Sequence, residues 1–438
     1  MPMDAFFKTA HELSSLGAKN IPYEYDSGKN LIYSSPATLF FNSPGAKGYG
    51  VKRAGLSIPG SVMLIVAPGC CGRNTSLISS IPGYEDRFFY LLMDEKDLVT
   101  SRHLKKIPKA IENILSFLGE RRPSMVMVCI TCVDALLGTD MDAVCDMASR
   151  KTGILVKPCY MYALTREGRR PPMVFVRQSI YSLLPKIKKK STTVNLLGHF
   201  SHLNDESELY PLLRSIGVKK INEIGRISSY EEFLTMGEAN FNLIVFHEAR
   251  AAGNDLYERL QIPPVEIRNF YDIDSVKRQY NALEKALGSE FDKAILEEYE
   301  NKARAGVKEA CCANQDLTFA VGESSNADPF ELSYALLKYG FKVPVIFGTP
   351  STENHPYIER IASMSPDTRI YCNMHSTMIY YDPLLINVDI TIGKNASYYH
   401  DDAFHIDWNE DVRPYGYQGI ISLFDRINFY LKNPEVAS

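Results

Sequence analysis

Short apolar runs recur along this chain, each stopping at a polar or glycine-bearing turn and each separated from the next by a helical pattern. Residues 62–66 (VMLIV), 125–128 (MVMV), 193–198 (TVNLLG), 241–246 (FNLIVF), 317–321 (LTFAV) and 343–347 (VPVIF) are the clearest. Runs apolar throughout are buried on both faces, and strands alternating with helices through short connections build parallel sheets with right-handed crossovers. The pattern therefore predicts an α/β protein of three Rossmann-like domains with mainly parallel sheets. We place their boundaries at 1–190 (an N-terminal arm and a first α/β domain), 191–310 (a second, with a long connecting helix over 274–310) and 311–438 (a third). Helices are expected over 103–118, 134–150, 174–184, 206–216, 230–236, 329–339 and 419–431. Residues 1–35 are read as an arm with a short helix.

Two of the runs deliver cysteines. Residues 62–66 lead into Ala67-Pro68-Gly69-Cys70-Cys71-Gly72, and residues 125–128 lead into Cys129-Ile130-Thr131-Cys132. In open α/β sheets ligands are held at the carboxyl ends of the strands. Thiolates on two such turns form a cradle for an iron-sulfur cluster. Two other readings stand beside this one, since buried cysteine often serves as a small apolar residue and a nearby pair can cycle as a redox disulfide. The nine cysteines cluster at 70/71, 129/132 and 311/312, unlike a secreted disulfide framework. Cys145, Cys159 and Cys372 read as core or loop residues, and Cys311-Cys312 as packing or surface.

Composition narrows the class further. A chain of 438 residues with 45% hydrophobic and 23% charged content is that of a globular protein of two or three domains. A net charge of -4 gives no reason to expect nucleic acid or an acidic membrane as partner. No apolar run approaches a membrane span, and the start lacks a signal pattern, so the expected location is the cytoplasm. The phosphate-loop pattern GxxxxGK[ST] is missing, so this chain is not expected to hydrolyse ATP itself.

Taken together, several motifs make the chain similar to the nitrogenase component 1 superfamily. They are a glycine-rich loop at 43–50, the stretch 59–72 ending in Gly-Cys-Cys-Gly, and Cys132 followed by Leu137-Gly138-Thr139-Asp140. Arg413-Pro414-Tyr415-Gly416-Tyr417-Gln418-Gly419, opening the last helix, completes the set. The superfamily contains nitrogenase large subunits, their cofactor-assembly scaffolds and several ATP-dependent reductases.

The resemblance implies that Cys71 and Cys132 ligate an iron-sulfur cluster, four-iron or larger, at a subunit interface. The family's third cysteine, due near Phe41-Asn42-Ser43, is missing; Cys70, Cys129, a partner chain or an oxygen donor such as Ser43 would stand in. Gly69, Gly72 and Arg73 are the expected cofactor-binding residues, the last two with Cys71 through backbone amides. The strand that in nitrogenase ends in a cofactor-ligating cysteine here ends in His247-Glu248, while His405 lies near the place of the family's terminal histidine. This departure argues against an identical iron-molybdenum cofactor and leaves any second metal cofactor unidentified. His247, Glu248 and His405 are the expected catalytic residues, with His199, His202, Arg250 and His375 as further polar groups at strand ends. The function the resemblance implies is a subunit of a nitrogenase-like oxidoreductase. It would pair with a sister subunit or second copy and receive electrons from a homodimeric ATP-hydrolysing iron protein, for a substrate other than dinitrogen. The alternative is a cofactor-assembly scaffold.

Overall fold

A computed structural model describes residues 4–25, 36–37, 40, 54–69, 84–130, 132–160, 171–323 and 325–433, with the side chains of residues 130, 132, 135 and 136 outside that description. Strand β1 (Phe7–Thr9) opens the chain but pairs far away. The first sheet holds β2 (Val62–Ala67), β3 (Phe88–Leu92), β4 (Val126–Ile130) and β5 (Val156–Tyr160), in the order β3-β2-β4-β5. The second holds β6 (Lys190–Leu197), β7 (Lys220–Asn222), β8 (Ala239–Ile244) and β9 (Pro264–Glu266), in the order β7-β6-β8-β9. In the third, β10 (Thr318–Gly322), β11 (Lys342–Phe347), β12 (Arg369–Tyr371), β13 (Ile390–Ile392) and β14 (Phe404–Ile406) join β1 in the order β1-β12-β11-β10-β13-β14. Every pairing between these strands is parallel except that of β1 with β12. The three mainly parallel sheets are those read from the apolar runs.

The chain is grouped differently from three consecutive stretches. Residues 44–201 and 219–267 form one compact unit, which contains the first two sheets; residues 1–43, 202–218 and 268–438 form another, which contains the third. The boundary expected at 190 falls at the first residue of β6, and that at 310 inside the helix Lys293–Ala313. The arm assigned to the first domain belongs by pairing to the third sheet, where Phe7 faces Tyr371 and the Tyr25 hydroxyl donates to Ile370 O at 2.7 Å.

Strand alternation explains how the first sheet is held. Val62, Leu64 and Val66 of β2 pack on one face with Ile107, Ile111, Ile114 and Leu118 of the helix Arg102–Leu118. Met63, Ile65 and Ala67 pack on the other with Met127, Cys159, Val176 and Ile180. Each large side chain fully buried this way contributes about 1.5 to 3 kcal/mol relative to exposure, so β2, buried at every position, anchors the sheet.

Two long expected helices are each divided. The stretch 274–310 is Ile273–Leu287 followed by Lys293–Ala313, because Gly288 adopts φ +65° and its N–H caps Glu284 O, after which the Asp292 carboxylate starts the second helix. Residues 134–150 likewise divide into Cys132–Leu137 and Met141–Thr152, the second capped by Asp140.

In the unit of the third sheet, two buried carboxylates bind backbone instead of side-chain cations. Glu208 accepts N–H groups from Tyr417 (2.5 Å) and Gln418 (3.1 Å) at the start of the helix Gly416–Lys432, and the Tyr280 hydroxyl at 2.7 Å. Glu331 accepts from Tyr271 and Asp272 at 2.9 to 3.1 Å, and burial nevertheless pushes its pKa up to about 8.

Candidate cluster site

The carboxyl edge of the first sheet is the place to build from. β2 and β4 are neighbours, with Val66 opposite Ile130, so the two cysteine-bearing turns leave adjacent parallel strands at the same end. Gly69 sits two residues past β2 and is exposed. The Tyr90 hydroxyl of β3 lies against the carbonyls of Ala67 (2.9 Å) and Pro68, fixing the backbone that enters the turn. The helix Cys132–Leu137 starts two residues past β4. Cys70, Cys71, Gly72 and Arg73 lie outside the described residues, as do Phe41-Asn42-Ser43 and the side chain of Cys132. Among the described residues no group of three or more His, Cys, Asp or Glu side chains converges as a metal site.

Cys129 is placed differently from the residues of the two turns. It lies inside β4 and directly opposite Cys159 of β5, and both are fully buried in the apolar cluster that includes Met63 and Met127. Burial drives the Cys159 thiol well above its ordinary pKa. An apolar interior disfavours thiolate, the form that binds metal. The proposal below therefore draws its ligands from Cys71 and Cys132. Cys145 and Cys372 are also buried, their pKa values pushed up to about 12 and 11 by desolvation.

A buried polar pair involves the helix that follows β4. His103 and Asp134 are 0% and 1% exposed, with Nε2 and Oδ1 2.8 Å apart. His103 Nδ1 donates to Asp97 O at 3.2 Å, since a carbonyl only accepts. Asp97 is itself fully buried, with its carboxylate held by Lys106 Nζ at 2.6 Å and Arg102 Nε at 2.9 Å. These cations hold its pKa well below the usual carboxylate range, Lys106 most strongly. Sequence reasoning missed the pair. A signal existed, because His103 opens the buried stripe His103, Ile107, Ile111, Ile114, Leu118 of an otherwise amphipathic helix.

The carboxyl edge of the second sheet is built from charge. Arg177, 3% exposed on the helix Pro172–Tyr181, donates Nε to Gly198 O at 2.7 Å and Nη1 to Met173 O at 2.8 Å and to Glu248 Oε2 at 2.7 Å. Its guanidinium lies 4.4 Å from the Phe200 ring centroid and 5.5 Å from that of Phe246. Gly198 has no room for a side chain, since a Cβ would come 2.8 Å from Phe246 N. Glu248 is thus an ion-pair partner of Arg177 in the turn that follows β8. His247 opens the turn His247–Ala249, exposed, with its ring 4.5 Å from that of Phe246. His199 packs on the same Phe246 ring at 5.2 Å, and Arg250 makes a bidentate pair with Glu266 at 2.6 and 2.7 Å.

The remaining expected polar groups belong to the other compact unit, so the structure groups His405 apart from His247 and Glu248. His405 lies on the edge strand β14 beside Thr391 Oγ1 (3.1 Å), and desolvation lowers its pKa. His375 Nδ1 lies 2.8 Å from Thr377 Oγ1, and His202 Nδ1 donates to Leu203 O at 2.8 Å. A group not foreseen from sequence is Glu323, directly after β10. Its carboxylate accepts Thr349 N–H and the Asn373 amide (3.2 Å), and burial raises its pKa.

Comparison with known proteins places this arrangement. In fold it matches a structure of nitrogenase Cp1 at pH 6.5, with a TM-score of 0.70, 16% identity, and 92% of this chain and 93% of that one covered. A second, of nitrogenase Cp1 at pH 5, gives 0.65 over 98% of both. The Nitrogenase component 1 type Oxidoreductase family matches residues 47–431, and the chain belongs to that family. Among curated relatives, the nitrogenase iron-molybdenum cofactor biosynthesis protein NifE of a Nostoc species is 25% identical over 284 residues, 63% of this chain and 58% of that protein. The protein of the same name from Clostridium pasteurianum is 24% identical over 51% of this chain and 49% of that one, so these matches span about half the length of the relatives. That of Mesorhizobium japonicum is 24% identical over 92% and 84%. No helix among the described residues is long and apolar enough to cross a membrane.

Proposed function

We propose that the chain is a cofactor-assembly scaffold of the nitrogenase component 1 type, holding an iron-sulfur cluster or cluster precursor as cargo between Cys71 and Cys132 at the carboxyl edge of the first sheet. The observation that carries the reading is the similarity, spanning nearly the whole chain in one case, to proteins named for iron-molybdenum cofactor biosynthesis. Two features of this chain support it. Cysteine-bearing turns on adjacent parallel strands suit soft iron-sulfur ligation. The end of β8 offers His247 and an Arg177-bound Glu248 where nitrogenase presents a cysteine, as the resemblance implies, so a permanently ligated catalytic cofactor is not expected there. Cys70, Gly69, Gly72 and Arg73 would frame the first turn. A sister subunit or second copy would complete the ligand set that lacks the family's third cysteine.

A second reading is kept because the family is one of oxidoreductases. In it the same cluster relays single electrons from an ATP-hydrolysing iron protein, and His247 and His405 serve a substrate other than dinitrogen. Anaerobic purification followed by iron and acid-labile sulfide analysis tests both. A chain that holds iron and surrenders it to cofactor-deficient component 1 is the expected result. Retained iron with ATP-dependent reduction of a small molecule would move the assignment to the reductase, and a stable metal-free chain would end both.

A further inference from the structure

We propose that the buried His103–Asp134 pair is a positioning device that fixes the rotation of the helix Cys132–Leu137 and thereby aims residue 132 at the cluster; this rests on the cluster reading above. A helix of six residues is too short to be held by its own hydrogen bonds, so its orientation comes from tertiary anchors. Asp134, at its third position, is such an anchor, buried and 2.8 Å from His103. His103 is in turn tied to Asp97 O, and Asp97 to Lys106 and Arg102, so bonds run unbroken from the helix Glu95–Thr100 to the one that begins at residue 132. Successive residues advance about 100° around a helix, so positions 132 and 134 lie about 200° apart. Pinning 134 inward therefore leaves position 132 on the opposite face.

The energetics point the same way. Asp134 Oδ2 is buried with no hydrogen-bond partner among the described residues. Removing one partner of a buried hydrogen-bonded pair costs about 1 to 3 kcal/mol, whereas an apolar pair of similar volume is often as stable or more so. Stability alone does not account for the pair, whereas a directional anchor does, since groups that orient metal ligands are hydrogen-bonded in just this manner.

The test compares wild type, Cys132→Ala, His103→Leu and His103→Gln, each reconstituted anaerobically with iron and sulfide. Release of iron to a chelator, the electron paramagnetic resonance spectrum of the reduced chain, and the melting temperature of the metal-free chain are the readouts. The expected result is roughly tenfold to hundredfold weaker iron retention in His103→Leu with altered g-values, partly restored in His103→Gln, whose amide keeps a polar partner for Asp134 Oδ1. Should His103→Leu not fold, His103→Gln and Asp134→Asn carry the comparison, each expected to retain iron less well than wild type. A lowered melting temperature with wild-type iron retention and a wild-type spectrum overturns the proposal and leaves the pair a structural tie. Iron held by wild type and lost from Cys132→Ala keeps the cluster reading intact whatever the His103 variants do. A wild-type chain that takes up no iron overturns that reading and this inference together.

Discussion

The first two sheets share one topology, β3-β2-β4-β5 and β7-β6-β8-β9, in which the second strand flanks the first and the third and fourth follow on the other side. Their carboxyl edges nevertheless carry opposite chemistry. The first is followed in sequence by glycine and thiol residues, and the helix after β4 carries Asp134, buried against His103. The second ends in a guanidinium shared between Gly198 O and Glu248 and sandwiched near two aromatic rings. A parallel sheet supplies a frame and an edge, and the residues just past each strand decide what chemistry that edge can carry.

The comparison breaks most decisively at the thiols. Cys71→Ala and Cys132→Ala are each expected to remove most of the bound iron from anaerobically purified chain, while Glu248→Gln leaves the iron content unchanged. Metal analysis of the three variants side by side is the check. Iron retained in both cysteine variants would contradict the assignment of the first edge.

The second edge is probed by Arg177→Met. This removes the only cation paired with Glu248 among the described residues and the donor to Gly198 O, inside a site where the side chains are 3% and 23% exposed. Breaking a largely buried pair from one side costs about 3 kcal/mol, somewhat less here because Glu248 keeps some solvent. Urea denaturation should report that loss, and iron per chain should stay at the wild-type value. A parallel loss of iron would mean that the two edges are not independent.

Much of the frame was legible in the sequence and much of the edge chemistry was not. The central strands β2, β4, β6, β8, β10 and β11 coincide with apolar runs because both of their faces are buried. The strands missed, Phe7–Thr9, Pro264–Glu266 and Phe404–Ile406, are three-residue edge strands with largely half-buried or exposed residues and no periodic signal. Gly138 and Gly288 were in plain view, yet the helical periodicity on either side of each glycine masked the break. At the site, thiols announce themselves by residue type, but the partners of His103 and Arg177 lie 31 and 71 residues away, and only the fold brings them together. The surroundings of Glu248 were hidden for that reason, since it pairs with an arginine that no local pattern connects to it.

Outside both edges, Glu331 provides a carboxylate whose behaviour is set mainly by burial and offers a contrast to the pair at the second edge. Its folded pKa is about 8 against an ordinary 4.5, so its protonated form is favoured on folding. Its contribution is complete below the ordinary value and is lost progressively as pH rises toward about 8. Wild type should therefore lose on the order of a few kcal/mol between pH 4.5 and 8 relative to Glu331→Gln, whose amide oxygen can still accept from Tyr271 and Asp272. Denaturation midpoints measured across that range would show converging curves at low pH and a flatter one for the variant. Parallel curves would contradict the assignment.

The smallest expected effect sharpens the comparison within the first edge itself. Cys129 and Cys132 are three residues apart, but one is fully buried opposite Cys159 inside β4 and the other begins the next helix. Cys129→Ala deletes one buried sulfur and should cost about 1 kcal/mol through the lost contacts and the small cavity left among Met63, Met127 and Cys159. The melting temperature should fall by a few degrees, with the iron content and its spectrum unchanged. Loss of iron from Cys129→Ala equal to that from Cys132→Ala would return Cys129 to the ligand set, and the division between a dry core and a metal-binding turn would then have to be drawn closer to the start of the strand.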